Sequence, residues 1–130
     1  MLDASAVLAY LLEEKGEDVV EAAFGEGPCR ISAVNLCEVL GKLCEKGTPL
    51  DEARATVSDL GVAVVAFDEA LAIRAASLRV RTKSIGASLG DRACLALAEQ
   101  SVDDQAIPVV YTAEHAWTRF RWPFKIAVIR

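Results

Sequence analysis

The sequence contains few of the residues and motifs on which common catalytic sites depend. It has one histidine and four cysteines, and it lacks a C-x-x-C pair, a G-x-S-x-G elbow, a P-loop and a glycine-rich dinucleotide fingerprint. Triad hydrolases, P-loop enzymes and zinc enzymes are therefore disfavoured. We expect His115 to lie at the surface. The cysteines are expected to be small buried hydrophobic residues; they are Cys29, Cys37, Cys44 and Cys94.

Long hydrophobic runs and a basic leader segment are also lacking. The longest apolar runs cover residues 6–12 and 61–67, whereas a bilayer-spanning helix needs about 18 or more apolar residues. With 53% hydrophobic and 25% charged residues, the composition is that of a compact globule. A chain of 130 residues can bury a core without disulfides. We therefore expect one domain, residues 1–130, located in the cytoplasm.

The net charge of −5 conceals a difference between the two halves of the chain. Residues 1–69 carry 5 basic and 14 acidic side chains, a net charge of −9, whereas residues 70–130 carry 9 basic and 5 acidic side chains, a net charge of +4. Such an asymmetry is one indication of a polyanionic partner. An unevenly charged but merely solvated surface would explain it equally well.

Short apolar runs alternate with longer segments of helical period. The strand candidates are continuous apolar runs, as expected for parallel strands covered on both faces; they are residues 1–2, 29–32, 62–67, 108–112 and 126–129. Helical patterns cover residues 4–15, 17–24, 33–46, 50–59, 68–82 and 88–101, with a short one at 114–119. Strands separated by such helices predict an α/β fold, a single open parallel sheet of about five strands between helices.

Acidic residues gather near the predicted carboxyl edge of this sheet. Asp3 and Glu114 follow the first and fourth strands, Glu38 lies in the helix after the second, and Asp91 lies near the start of the helix at 88–101. Ligands of open α/β sheets bind at this edge. Four neighbouring carboxylates repel one another unless a cation neutralises them, and their hard oxygen atoms suit Mg²⁺ or Mn²⁺.

Three of these acids also have simpler explanations. Asp3 stands directly before a helix and could act as its cap. Glu114 opens the last short helix, where an acid favours the positive end of the helix dipole. Glu38 points away from the apolar stripe of its helix, which predicts a solvated side chain. That stripe consists of Ala33, Leu36, Leu40, Leu43 and Cys44.

Asp91 allows two interpretations. It falls within the apolar arc formed with Cys94, Leu95 and Ala98, where an ionised carboxylate must be paired, hydrogen-bonded or bound to a metal. Alternatively, Ser88 and Asp91 fit the S-x-x-D pattern of a capping box. Asp68, which precedes the helix at 68–82, is expected to be a simple N-cap.

Four segments, in order along the chain, resemble the motifs of PIN-domain ribonucleases. They are residues 1–8 (MLDASAVL), 31–39 (ISAVNLCEV), 88–98 (SLGDRACLALA) and 110–117 (VYTAEHAW). The compact size and the D-A-S opening look most like the VapC-type toxins of toxin–antitoxin pairs. The resemblance implies a PIN-like fold and a Mg²⁺- or Mn²⁺-dependent endoribonuclease, which hydrolyses RNA phosphodiesters with a metal-activated water. It also implies a cognate antitoxin and a homodimer.

The resemblance assigns roles to individual residues. The acidic quartet would be Asp3, Glu38, Asp91 and Glu114. Within it, Asp3 and Asp91 would hold the metal, while Ser5 and Thr112 would orient carboxylates or water.

Basic residues of the second half are available to the RNA backbone; the candidates are Arg74, Arg79, Arg81, Lys83 and Arg92. A second basic cluster, at residues 119–125, is interleaved with aromatic side chains that could stack on bases or simply pack in the core. These aromatic residues are Trp117, Phe120, Trp122 and Phe124.

Three other functions are compatible with parts of the pattern. One is a PIN nuclease that processes RNA without an antitoxin, and another is a non-catalytic PIN scaffold, although the complete acidic quartet argues against the latter. The third is a signalling receiver domain, which is also α/β with an acidic Mg²⁺ pocket. A receiver would need an acidic doublet after the first strand, and the chain has only Asp3 there.

Overall fold

The computed structural model describes residues 1–105 and 107–130 and contains both helices and parallel strands. Its α-helices are α1 (Ala4–Leu11), α2 (Glu17–Glu26), α3 (Ala33–Glu45), α4 (Leu50–Asp59), α5 (Glu69–Arg81) and α6 (Leu89–Asp103). Its strands are β1 (Arg30–Ser32), β2 (Ala63–Val65), β3 (Val109–Thr112) and β4 (Lys125–Val128). Two short 3₁₀ helices cover Lys83–Ile85 and His115–Arg119. The predicted α/β class is confirmed.

The sheet is small because its strands are short. β1 pairs with β2 and β3 pairs with β4, both in parallel register. Between the two pairs lies the N-terminal segment: Leu2 forms a parallel bridge with Tyr111 of β3, and its backbone N–H donates to the carbonyl of Arg30 in β1 at 2.8 Å. The predicted first strand is therefore a single bridge, and the order across the sheet is β2, β1, the N-terminal segment, β3, β4.

Polar side chains cap the N-termini of several helices. Ser32 Oγ accepts a hydrogen bond from the Val34 amide at 3.3 Å at the start of α3. Asp68 Oδ1 accepts one from the Leu71 amide at 2.9 Å, which confirms Asp68 as the N-cap of α5. These contacts satisfy amide donors that a helix leaves unpaired in its first turn.

Two hydrophobic clusters cover opposite faces of the sheet. Alternate strand residues point to opposite sides, so Leu2 and Tyr111 contact one cluster whereas Val110 and Ile126 contact the other. The first cluster is built from α1 to α4 and the second mainly from α5 and α6. Within the described residues no helix has the length and hydropathy needed to cross a membrane.

Helix α3 buries a different stripe from the one predicted. Its buried side chains are Asn35, Val39 and Leu43. Of the predicted stripe only Leu43 is buried, while Leu36 and Leu40 line an open apolar groove beside β2. Helix α3 has apolar side chains on two adjoining faces, and periodicity alone selects the wrong one.

The prediction that all cysteines are buried is wrong for two of them. Cys29 and Cys94 are buried, whereas Cys37 and Cys44 of α3 are exposed. Their spacing of seven places both on one face of α3. That face lines a second open apolar groove, between α3 and Leu50, rather than the core.

Candidate active site

The predicted acids lie where the strand order reverses. From the N-terminal segment the chain proceeds to β1 on one side and later to β3 on the other, and Asp3 follows that segment directly at the carboxyl edge. A crevice forms at such a reversal because the two crossover connections leave it in opposite directions. One cavity of about 280 Å³ at this edge is lined by all four acids, Asp3, Glu38, Asp91 and Glu114.

Asp3 is the buried and fully anchored member of the group. Its side chain is 4% exposed. Oδ2 accepts hydrogen bonds from Ser5 Oγ at 2.6 Å and Thr112 Oγ1 at 3.0 Å, while Oδ1 accepts one from Asn35 Nδ2 at 3.2 Å. Ser5 and Thr112 accept from the amides of Ala113 and Glu114, so both hydroxyls are oriented to donate to Asp3. Asp3 occupies the N-cap position of α1, but its side chain does not accept a capping hydrogen bond from the amides of that helix.

Asn35 is a site residue that the sequence patterns did not single out. Its Nδ2 donates to Asp3 Oδ1 and to the carbonyl of Gly90, each at 3.2 Å, and so joins the N-terminal segment to α6. Its Oδ1 is buried and has no hydrogen-bond partner among the described residues. One feature of the sequence could have identified it. Asn35 lies four residues before Val39 and eight before Leu43, so it shares the helix face that these two apolar residues bury.

Glu38 reaches the start of α6 because residue 90 is glycine. A Cβ atom on Gly90 would lie 2.7 Å from Glu38 Oε2 and 3.5 Å from Asn35 Nδ2. Glu38 is exposed, as its helical periodicity predicted. Its carboxylate nevertheless bends over the backbone of α6 and lines the acidic cavity.

Asp91 forms the capping box that its sequence pattern allowed. Asp91 Oδ2 accepts a hydrogen bond from the Ser88 amide at 2.7 Å, and Ser88 Oγ accepts one from the Asp91 amide at 3.1 Å. The helix arc of Cys94, Leu95 and Ala98 is buried, but Asp91 itself stands at its end and is partly exposed. Oδ1 makes no hydrogen bond to any described residue and stays available to a ligand.

Glu114 lies at the outer rim. It is exposed, and it precedes the 3₁₀ helix His115–Arg119 without capping it through its side chain. Its amide donates to Thr112 Oγ1 at 3.0 Å. His115 is exposed as predicted, and its Nε2 contacts the carbonyl of Arg130 at 2.6 Å.

The acids influence one another electrostatically. Burial raises the pKa of Asp3, and the charge of Asp91 raises it further, against the lowering effect of its hydrogen bonds from Ser5 and Thr112. The pKa values of Glu38 and Glu114 are also raised, first by partial burial and then by the charges of Asp3 and Asp91. The lining also includes Lys42, Lys46 and Arg130, of which Arg130 pairs with Glu14. The acids still outnumber the bases, and a cation among Asp3, Glu38, Asp91 and Glu114 would relieve their mutual repulsion.

The donor set fits a hard divalent cation in its chemistry. Carboxylate oxygens and the unpartnered amide oxygen of Asn35 are ligands or outer hydrogen-bond acceptors that Mg²⁺ and Mn²⁺ favour. Across residues 1–105 and 107–130, however, no three acidic, histidine or cysteine side chains converge into a preassembled metal site.

The predicted RNA-backbone residues fall into two groups. Arg74 contacts Asp103 at 2.6 Å, and both Arg74 and Arg81 lie within 4 Å of Glu99. Arg79, Lys83 and Arg92 form no such ion pair with any described residue. The first group therefore links α5 to α6, while the second remains free to bind a ligand.

The aromatic residues of the second basic cluster pack against each other. Trp117 and Phe124 are buried, and the ring of Trp122 stacks on Phe124 with centroids 5.4 Å apart. The Arg81 guanidinium lies 4.1 Å from the Trp122 centroid. These contacts support core packing, the simpler of the two roles considered for this cluster.

An open parallel sheet with a carboxylate-lined cavity at its reversal point defines the structural class of this chain. A PIN domain family profile matches residues 1–121. The chain therefore belongs to the PIN domain family, whose members are generally metal-dependent nucleases. Among curated proteins, none matches the chain closely enough to count as a relative.

Proposed function

We propose that the chain, as one domain of residues 1–130, is a Mg²⁺- or Mn²⁺-dependent endoribonuclease of the VapC toxin type. The observation that carries the proposal is the arrangement around Asp3, a buried carboxylate held by three side chains in a cavity that Glu38, Asp91 and Glu114 also line. A cation held by such a cluster would stabilise the negative charge that develops on a phosphodiester during attack.

Different side chains in and around the cavity would bind the cation, orient a ligand and accept a proton. Asp3 and Asp91 would hold the cation, which when bound lowers the pKa of a water molecule and stabilises charge on the leaving oxygen. Ser5, Thr112 and Asn35 keep the Asp3 carboxylate in one orientation. The carboxylates of Glu38 and Glu114 have raised pKa values, which suits them to accept a proton from the attacking water.

We propose RNA as the substrate, a cognate antitoxin and a second copy of the chain as protein partners, and a cytoplasmic location. These assignments rest on the motif resemblance and on family membership, since PIN nucleases act on RNA. A short reading frame for a DNA-binding protein directly upstream of the gene would support the toxin assignment. Its absence, together with full nuclease activity, would favour an RNA-processing enzyme.

RNA cleavage by the purified chain is expected to require Mg²⁺ or Mn²⁺ and to stop in excess chelator. Water as nucleophile leaves 5′-phosphate and 3′-hydroxyl ends, whereas attack by the ribose 2′-hydroxyl leaves a cyclic phosphate. Gel assays with end-group analysis measure both properties. An Asp3→Asn protein purified in parallel controls for contaminating nuclease. The proposal would be contradicted if the wild type still cleaved RNA in excess chelator while the Asp3→Asn protein did not.

Replacing Gly90 by Ala tests the role of Glu38 without altering a charge. The new Cβ would lie 2.7 Å from Glu38 Oε2, so the flexible carboxylate must move away from α6. We expect RNA cleavage to fall by about 10- to 100-fold, the usual loss when groups around a metal ligand are displaced. Stability should hold or rise, because Ala is favoured over Gly in helices by about 0.5–1 kcal/mol.

Gly41→Ala in α3 is the matched control, since its Cβ would meet no atom within 4 Å. It should gain similar stability in thermal melts and cleave RNA at the wild-type rate. Equal cleavage by the two variants would show that the position of Glu38 over Gly90 is unimportant for activity.

A further inference from the structure

A second cavity, of about 640 Å³, lies on the α5–α6 side of the acidic site. We call it the basic pocket, defined by Arg79 and Lys83 from α5 and the turn that follows it, by Gly86 and Ala87, and by Arg92 of α6. Gly86 and Ala87 directly precede the capping Ser88, and Arg92 directly follows Asp91. Successive residues of the first turns of α6 thus line the two cavities, Asp91 the acidic one and Arg92 the basic one.

Arg92 carries a buried charge that lacks a counter-ion. The residue is only 8% exposed. Its Nη1 donates to the carbonyl of Ala87 at 3.3 Å, and its Nε has no hydrogen-bond partner among the described residues. No described carboxylate lies within 4.0 Å of its guanidinium. A buried charge without a partner is costly, so an anion entering the pocket would stabilise it.

The other cations of the pocket are also unpaired, in contrast to their neighbours on the same helix. Arg74 and Arg81 are neutralised by Glu99 and Asp103. Arg79 and Lys83 are exposed and form no ion pair within the described part of the chain. Three positive charges thus surround one cavity in a protein whose net charge is −5.

We propose that the basic pocket binds a backbone phosphate of the RNA strand, next to the phosphodiester held in the acidic cavity. This assignment rests on the proposed ribonuclease function and adds to it a subsite for the substrate. Arg92 supplies a guanidinium, which matches phosphate oxygens in its planar geometry, and Lys83 and Arg79 add charge at the mouth. A free phosphate-bearing molecule presents the same chemistry, so the test must separate the two sources.

The salt dependence of RNA binding provides the first test. The probe is a fluorescently labelled single-stranded 12-nucleotide RNA, measured by anisotropy in chelator so that it is not cleaved. Each neutralised phosphate contributes about 0.7 to the slope of log K against log[salt] for single strands. Because the pocket would neutralise one phosphate, we expect the Arg79→Gln/Lys83→Gln protein to show a slope shallower by up to about 0.7. The Arg30→Gln/Arg54→Gln protein removes the same charge at exposed positions outside both cavities and should keep the wild-type slope.

Thermal melts in inorganic phosphate, at constant ionic strength, provide the second test. We expect phosphate to raise the melting temperature of the wild type and to do so much less for Arg92→Gln, because a ligand stabilises the folded state in proportion to its binding. The variant keeps most of the stem that packs in the pocket, and its own melting temperature without phosphate shows whether it folds.

The outcomes separate this proposal from the proposed function. Equal slopes for the two double variants, in a protein that cleaves RNA, would overturn the RNA subsite and leave the nuclease intact. Equal slopes combined with phosphate stabilisation would instead indicate a site for a free phosphate compound. Failure to bind the RNA probe at all would overturn both the subsite and the ribonuclease. A shallower slope confined to Arg79→Gln/Lys83→Gln, with a reduced phosphate effect in Arg92→Gln, supports the assignment.

Discussion

Asp3→Asn is expected to lower RNA cleavage by about 100-fold or more, because even the groups that surround a metal ligand cost up to this factor when they are lost. The metal-free protein should become more stable at neutral pH. Burial raises the pKa of the Asp3 carboxyl, so its ionised form costs folding free energy, and a neutral amide of the same size removes that cost. Ser5 and Thr112 can still donate to the amide oxygen of the new residue. Its NH2 group takes the place of Oδ1, and a flip of the Asn35 amide would let the unpartnered Asn35 Oδ1 accept from it, at the loss of the hydrogen bond to Gly90.

The sign of the pH dependence follows from the raised pKa of Asp3. The folded state binds the proton more tightly than the unfolded state, so the wild type gains stability as the pH falls from the raised value towards the ordinary Asp value of about 3.9. The advantage of Asp3→Asn should therefore shrink across that window. Chemical unfolding at several pH values, without metal, measures the difference.

Asp68→Asn is the matched control, because Asp68 caps α5 outside the cavity and Asn caps helices about as well as Asp. It should change neither cleavage nor stability by much. Wild-type cleavage by the Asp3→Asn protein would show that Asp3 is not a catalytic residue, and it would contradict the ribonuclease mechanism proposed for this cavity.

Asp91→Asn and Ser88→Ala are expected to separate catalysis from helix capping. The two residues form one capping box, but only Asp91 supplies a carboxylate to the acidic cavity. Asp91→Asn keeps an oxygen that can accept from the Ser88 amide. We therefore expect the free energy of unfolding to fall by only a few tenths to about 1 kcal/mol. Cleavage should fall by about 100-fold or more, and stabilisation by added Mg²⁺ should shrink.

Ser88→Ala should show the opposite pattern. It removes the hydroxyl that accepts from the Asp91 amide at 3.1 Å, which costs about 0.5–2 kcal/mol, but the Asp91 carboxylate remains. Thermal melts with and without Mg²⁺, combined with cleavage assays, measure both quantities. A destabilised but fully active Asp91→Asn protein would show that Asp91 serves the helix alone.

Much of the fold could be predicted from local patterns. Continuous apolar runs located the parallel strands, and helical periods located the α-helices of the described residues to within about four residues, because both signals arise from neighbours along the chain. The predicted strand at residues 62–67 is reduced to Ala63–Val65. The ends of strands depend on pairing partners, and Val65 is the last residue of β2 with a partner in β1.

The buried face of α3 could not be predicted in the same way. Asn35 is buried and Leu36 is not, although hydrophobicity would order them the other way. The reason is that Asn35 faces Asp3 and Gly90, which are 32 and 55 residues away in sequence. A buried polar side chain needs hydrogen-bond partners, and those of the Asn35 Nδ2 group come from residues far away in the sequence.

By itself, the sequence determined the α/β class, the positions of the acids along the chain and the motifs that mark a PIN domain, because each depends on residue type and short-range spacing. Only the tertiary structure decided which side chains anchor Asp3 and which cations are free. Arg74 and Arg79 look alike in the sequence, yet Arg74 pairs with Asp103 and Arg79 lines the basic pocket. Charge interactions act through space, so their partners are set by how α5 packs on α6.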